Sequence, residues 1–163
     1  MSASSTVPLL RAILTGLLRS MPQYVAECWP WTHRGDADAD GVIQGIIDDQ
    51  QRRAAQVAEA IVVRGGLLAY PAFPDWTRLN YAALDYLLEQ LVAYQSTAAA
   101  RFEALRDQLP KGGKERALAD SVAADAQRHL SRLRELAAKH QYSQQVSVVT
   151  EGSATPTAGP SAR

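Results

Sequence analysis

Asp49-Gln50-Gln51-Arg52-Arg53 and Asp125-Ala126-Gln127-Arg128-His129 are two copies of one pattern, D-x-Q-R-[R/H]. Each sits inside a long stretch whose apolar residues recur every three or four positions, the period of a helix with one buried face. Around the first copy that stripe is Ile43, Ile46, Ile47, Gln50, Arg53, Ala54, Val57 and Ile61. Around the second it is Leu118, Val122, Ala126, His129, Leu133 and Leu136. Gln50, Arg53 and His129 therefore fall on faces that should be buried. A buried polar group costs several kcal/mol unless it finds a partner, so polar side chains at matching places on two helices need a physical reason. The spacing predicts a helix bundle with a polar centre.

The rest of the chain reads as further helix. The first should begin near Pro8, a residue suited to the first helical position. Its stripe is Leu10, Ile13, Leu14, Leu17, Met21, Val25 and Cys28, and Pro22 either kinks it or splits it after Ser20. The second should start near Asp38 or Asp40 and stop at Gly65-Gly66. The third should start near Asp75 or Thr77 and run to Leu109; Pro110, Gly112 and Gly113 mark the next turn. The fourth should cover about 114–140. After Tyr142 the composition turns to Ser, Thr, Gly, Pro and Ala, too little apolar area to order itself. The expectation is an all-α, up-down four-helix bundle over 1–142, with a longer connection between the second and third helices, and a disordered tail over 143–163.

Bulk properties narrow the partners. At 163 residues the chain is one domain by length. Lys+Arg and Asp+Glu are equal at 17 each, which gives no support for a nucleic-acid partner. The single cysteine, Cys28, cannot form an internal bridge, and with no signal peptide read at the N-terminus a reducing, cytoplasmic setting is expected. No stretch approaches the length of a membrane span.

Two readings compete for the polar centre. In a bundle that binds two metal ions, two helices each supply a Glu and, three residues later, a His. Here those positions hold Gln50 with Arg53 and Ala126 with His129. Arg stays protonated and cannot coordinate. The favoured reading is a polar core network in which Arg53 supplies the positive charge, joined by Gln50, Asp85 and His129, with Glu27, Asp85, Glu89 or Asp125 as its acid. The alternative is a residual metal site built on His129 with Asp125, Glu27, Asp49 and Glu89, taking iron or manganese; on the favoured reading no cofactor is expected.

At these residues the chain resembles the ferritin-like superfamily, in particular small bacterial ferritin-like proteins of unassigned function. The matching segments are Asp49 to Arg53 with Ala58-Glu59-Ala60-Ile61, Gly65-Gly66, Pro71 with Phe73-Pro74, Leu84 to Leu88, and Asp125 to His129 with Leu130-Ser131-Arg132-Leu133. They span about residues 8–140. The resemblance implies a four-helix bundle and, in active members, a carboxylate-bridged dinuclear iron or manganese site used for oxidation, oxygen chemistry or iron storage. By position, Gln50 and Ala126 correspond to the family's Glu ligands and Arg53 and His129 to its His ligands. Three of the four depart from the pattern. The expected function is a non-catalytic structural or interaction protein; a divergent iron- or manganese-dependent oxidoreductase or iron-binding protein is the alternative. A homodimer is possible. So is a protein partner through the C-terminal tail, whose apolar patch is Val146-Ser147-Val148-Val149; some family members enter protein shells through such tails.

Three smaller signals have simpler readings. Asp36-Ala37-Asp38-Ala39-Asp40-Gly41 matches the opening of a calcium loop, but Ile47 stands where its bidentate Glu is due; an acidic helix start accounts for it. Trp29, Trp31, Phe73 and Trp76 flank the connections and are read as seals on the bundle, with a ligand pocket as the alternative. His33 and His140 are read as solvated helix-end residues.

Overall fold

Ser20 and Pro22 cut the first amphipathic stripe in two. The Ser20 hydroxyl accepts from the backbone N–H of Gln23 at 3.4 Å, as an N-cap does, and the helix restarts behind it. The computed structural model describes residues 6–28 and 37–151, with side chains over 6–27 and 37–145. Its helices are α1 (Thr6–Leu18), α2 (Met21–Cys28), α3 (Ala37–Val63), α4 (Leu84–Asp107) and α5 (Lys114–Glu151), with one 3-10 turn at Thr77–Leu79. There is no strand among the described residues. Nor is any described helix long and apolar enough to cross a membrane. The expected positions Trp29, Trp31, His33 and Asp36 lie outside the described residues, as does the side chain of Cys28.

Gly65 and Gly66 stop α3. Gly65 takes φ +72°, a conformation costly for a residue with Cβ, and the Gly66 N–H returns to the Ile61 carbonyl at 2.9 Å. The start of α4 differs from expectation. Asp75 accepts from Thr77 N at 3.1 Å and Thr77 Oγ1 at 2.8 Å, a local side-chain turn. It leads into the 3-10 turn, whose N-cap position is Trp76. Tyr81 at φ +65° then turns the chain, and the α-helix begins at Leu84.

Helix directions follow from which residues meet. Leu10 shares an apolar cluster with Ile61, Leu109 and Ala119; Val25 shares another with Ile43, Leu87 and Leu133. So α1–α2 runs antiparallel to α3, and α4 antiparallel to α5, while α3 and α4 run parallel. The expected strict up-down alternation is therefore corrected: the order is up, down, down, up. The 64–83 connection makes this possible by travelling the length of the bundle along α1 and α2. Arg11 Nε donates to Leu67 O at 2.8 Å and Tyr24 Oη to Asn80 Oδ1 at 2.9 Å. Between them Arg19 binds the Pro71 carbonyl and lies 4.8 Å over the Phe73 ring. Phe73, Trp76, Tyr24 and Tyr94 stack edge-to-face, with Trp76–Tyr94 centroids 5.4 Å apart, so the described aromatics seal the connection against the helices.

The expected boundary at Tyr142 falls inside α5, which continues to Glu151. Adding residues to a formed helix is cheap, and no Gly or Pro interrupts 143–151 before Gly152. Residues 143–145 are exposed, so the extension adds nothing to the core. The remainder of the expected tail, 152–163, lies outside the described residues.

Candidate functional site: a charged layer across the bundle

Two apolar clusters fill the two ends of the bundle. Between them lies a layer of polar side chains. Because α3 and α5 run antiparallel, the first position of one repeat faces the fifth position of the other. Two crossed pairs result. Arg53 Nε donates to Asp125 Oδ2 at 2.7 Å. His129 Nε2 stands 3.0 Å from Asp49 Oδ2; a carboxylate can only accept, so Nε2 carries the hydrogen. Each aspartate also holds the arginine three residues further on in its own helix. Arg52 binds Asp49, and Arg128 Nη2 is 2.7 Å from Asp125 Oδ1.

The first helix pair adds a neutral network beside these charges. Gln50 Oε1 accepts from Ser20 Oγ at 2.7 Å and from Gln23 Nε2 at 3.2 Å. Gln23 Nε2 also reaches the Ile47 carbonyl at 3.2 Å. From α4, Gln95 Nε2 donates to the Ala126 carbonyl at 3.1 Å. Ser20, Gln50, Gln95, Asp125 and His129 are all buried. Asp49, Gln50, Arg53, Gln95, Asp125 and His129 border a cavity of about 10 Å³, beside the small side chain of Ala126.

Of the sequence-derived site residues, Asp49, Gln50, Arg53, Asp125 and His129 come together. Glu27, Asp85 and Glu89 do not: all three are exposed and none borders the cavity. They lie apart from the polar layer. Arg53 takes its acid from Asp125 instead, because the antiparallel seam brings α5, not the outer faces of α2 or α4, against it. Ser20, Gln23 and Gln95 were missed. Gln95 had a signal, since it continues the stripe Leu87, Leu88, Leu91 at helical spacing. Among the described residues no group of three or more His, Cys, Asp or Glu is placed to hold a metal ion. The calcium-loop reading fails on geometry: α3 begins at Ala37, so Asp38 and Asp40 sit in its first turn, and Asp38 binds Lys139.

The charges of the layer are tuned by burial and pairing. Burial lowers the His129 pKa below 6.5, outweighing the upward pull of Asp49, so the imidazole is neutral at pH 7. Burial pushes the Asp49 carboxyl up, but the bonds from His129 and Arg52 prevail and hold it below 3.8. Asp125 is held below 3.8 in the same way, burial being outweighed by Arg53 and Arg128. All three groups bind protons more weakly folded than unfolded, so acid favours the unfolded chain. The His129 contribution is present above 6.5 and lost as pH falls through its lower folded value. The aspartate contributions are present above 3.8 and lost below it. The thermal unfolding midpoint should thus fall in two stages on acidification, and His129→Gln should abolish the upper stage alone. An upper stage of unchanged size in His129→Gln would contradict this assignment.

No protein-family model matches the chain, and comparison with curated proteins and with solved structures gives no match.

Proposed function

We propose that this chain is a ferritin-like bundle that has given up dinuclear metal chemistry and serves as a non-catalytic structural or interaction protein. The observation that carries the reading is the Arg53–Asp125 pair at 2.7 Å in the middle of the bundle. A fixed cation there repels a second cation and engages the carboxylate that a metal would need. The other positions fit a dinuclear centre no better. Gln50 Oε1 is already occupied by Ser20 and Gln23, and Ala126 has no donor atom. A cavity of about 10 Å³ is room for one water-sized body, not for two metals with their bridging ligands. The remaining Asp49–His129 pair offers one carboxylate and one imidazole, short of the ligand set that holds iron or manganese tightly.

In this reading the layer sets which helices meet and at what height. An apolar centre would let the helices slide in register at small cost. Crossed charges allow one alignment, since any other leaves a buried charge without its partner. Elemental analysis tests the proposal. After aerobic purification of the full chain, iron and manganese should each be far below one per chain. Two metals per chain would refute it, and a single tightly held metal lost in His129→Ala would move the assignment to an iron- or manganese-binding protein.

A further inference from the structure

Gln95 defines the chemistry of the central cavity. Its Nε2 donates to the Ala126 carbonyl, and a carbonyl can only accept, so the two ends of the amide are fixed. Oε1 is then the free end. It is buried, with no donor among the described residues, on a side chain that borders the cavity. Asp125 also borders that space, and its Oδ1 is buried. Arg128 lies close to it, but at an angle that makes no hydrogen bond, and Oδ1 too lacks a hydrogen-bond donor among the described residues. Buried acceptors are rarely left this way, and where they are, an ordered water is a common reason.

We propose that the cavity is a binding site for one water molecule, which donates to Gln95 Oε1 and to Asp125 Oδ1. Three properties select this occupant. It must donate twice, because both free atoms are acceptors. It must be neutral, because Arg52, Arg53 and Arg128 already outnumber Asp49 and Asp125, which disfavours ammonium or a metal ion. It must be small, because about 10 Å³ is close to the least space a water needs. Arg53, which also lines the cavity, carries five N–H groups and would be the donor to the water oxygen in return. The site exists because Ala126 is small: a longer side chain would fill the space. The water then joins α4, which contributes no charge to the layer, to the charged pair between α3 and α5.

A high-resolution crystal structure of the full chain, with anomalous data, tests the site. One light-atom peak at hydrogen-bonding distance from Gln95 Oε1, without anomalous signal and lost in Gln95→Leu, is the expected result. A cavity free of density would overturn the water alone, leaving the proposed function standing. A peak with transition-metal anomalous signal would overturn both. Should Gln95→Leu fail to fold, magnetisation transfer from water to the Gln95 side-chain amide protons of the unaltered protein decides: its presence supports the site and its absence removes it.

Discussion

Arg53→Met should lower the unfolding free energy by about 2–3 kcal/mol. The reasoning starts from Asp125, whose side chain is 5% exposed and whose carboxyl is ionised at neutral pH. Taking one partner from a buried pair strands the other charge, at about 3–5 kcal/mol when it has no further support. Two facts bring the figure down here. Arg128 stays close to Asp125, and the Arg53 side chain is itself 24% exposed, so part of its attraction is screened. Met keeps the length of the stem and the helix propensity, so the change isolates the charge. Adding Asp125→Leu should recover most of the loss, because an apolar pair in place of an ion pair is often neutral or better. Urea unfolding of the two single variants and the double variant gives the coupling directly. A loss below about 0.5 kcal/mol in Arg53→Met, the size of an ordinary surface change, would mean that the pair is solvated and the central argument fails.

Leu91→Ala should cost about 3–4 kcal/mol, the largest loss expected of any single core truncation near the layer. Leu91 is fully buried, in the cluster with Met21, Ile43, Ile46 and Leu133, one turn before Gln95 on α4. It shares that cluster with residues of α2, α3 and α5, so the cavity left by truncation has little room to close. The slightly better helix propensity of Ala offsets only a few tenths of a kcal/mol. In a chain of this size the melting midpoint should drop by about 10 °C. A drop of less than about 3 °C would show a loosely packed end of the bundle, and would remove the rigid wall against which the polar layer is held.

Much of this arrangement can be read from residue spacing. Gly65-Gly66 and the Pro110–Gly113 turn mark ends that the backbone needs, because only Gly takes the left-handed conformation without strain. The inward placement of Gln50, Arg53 and His129 follows from period alone. Partner choice does not. Whether Arg53 meets Glu27, Glu89 or Asp125 depends on helix direction, and a connection as long as 64–83 permits α4 to run either way. The start of α4 is hidden for a local reason: the Asp75 carboxylate is engaged by Thr77 in a side-chain turn ahead of the 3-10 turn, and α4 begins only at Leu84, behind Ala83, which offers no capping side chain. Ser20 and Gln23 were hidden by the helix break, since the turn of the chain at Arg19–Ser20 resets the phase on which a stripe is counted. The extension of α5 to Glu151 was hidden because composition reports the absence of a core, and a helix can outrun its core by simple propagation.

The parallel course of α3 and α4 has a consequence for how the molecule assembles. Each half, α1–α3 and α4–α5, is an antiparallel hairpin that packs within itself without crossing the 64–83 connection. Closing the long connection is a slower search whose entropy grows only slowly with its length. Joining the halves brings the Asp125 carboxylate to Arg53 and the Asp49 carboxylate to the His129 N–H. A misregistered docking would leave the Asp125 and Asp49 carboxylates without these partners, so the crossed pairs favour a single register of one hairpin against the other.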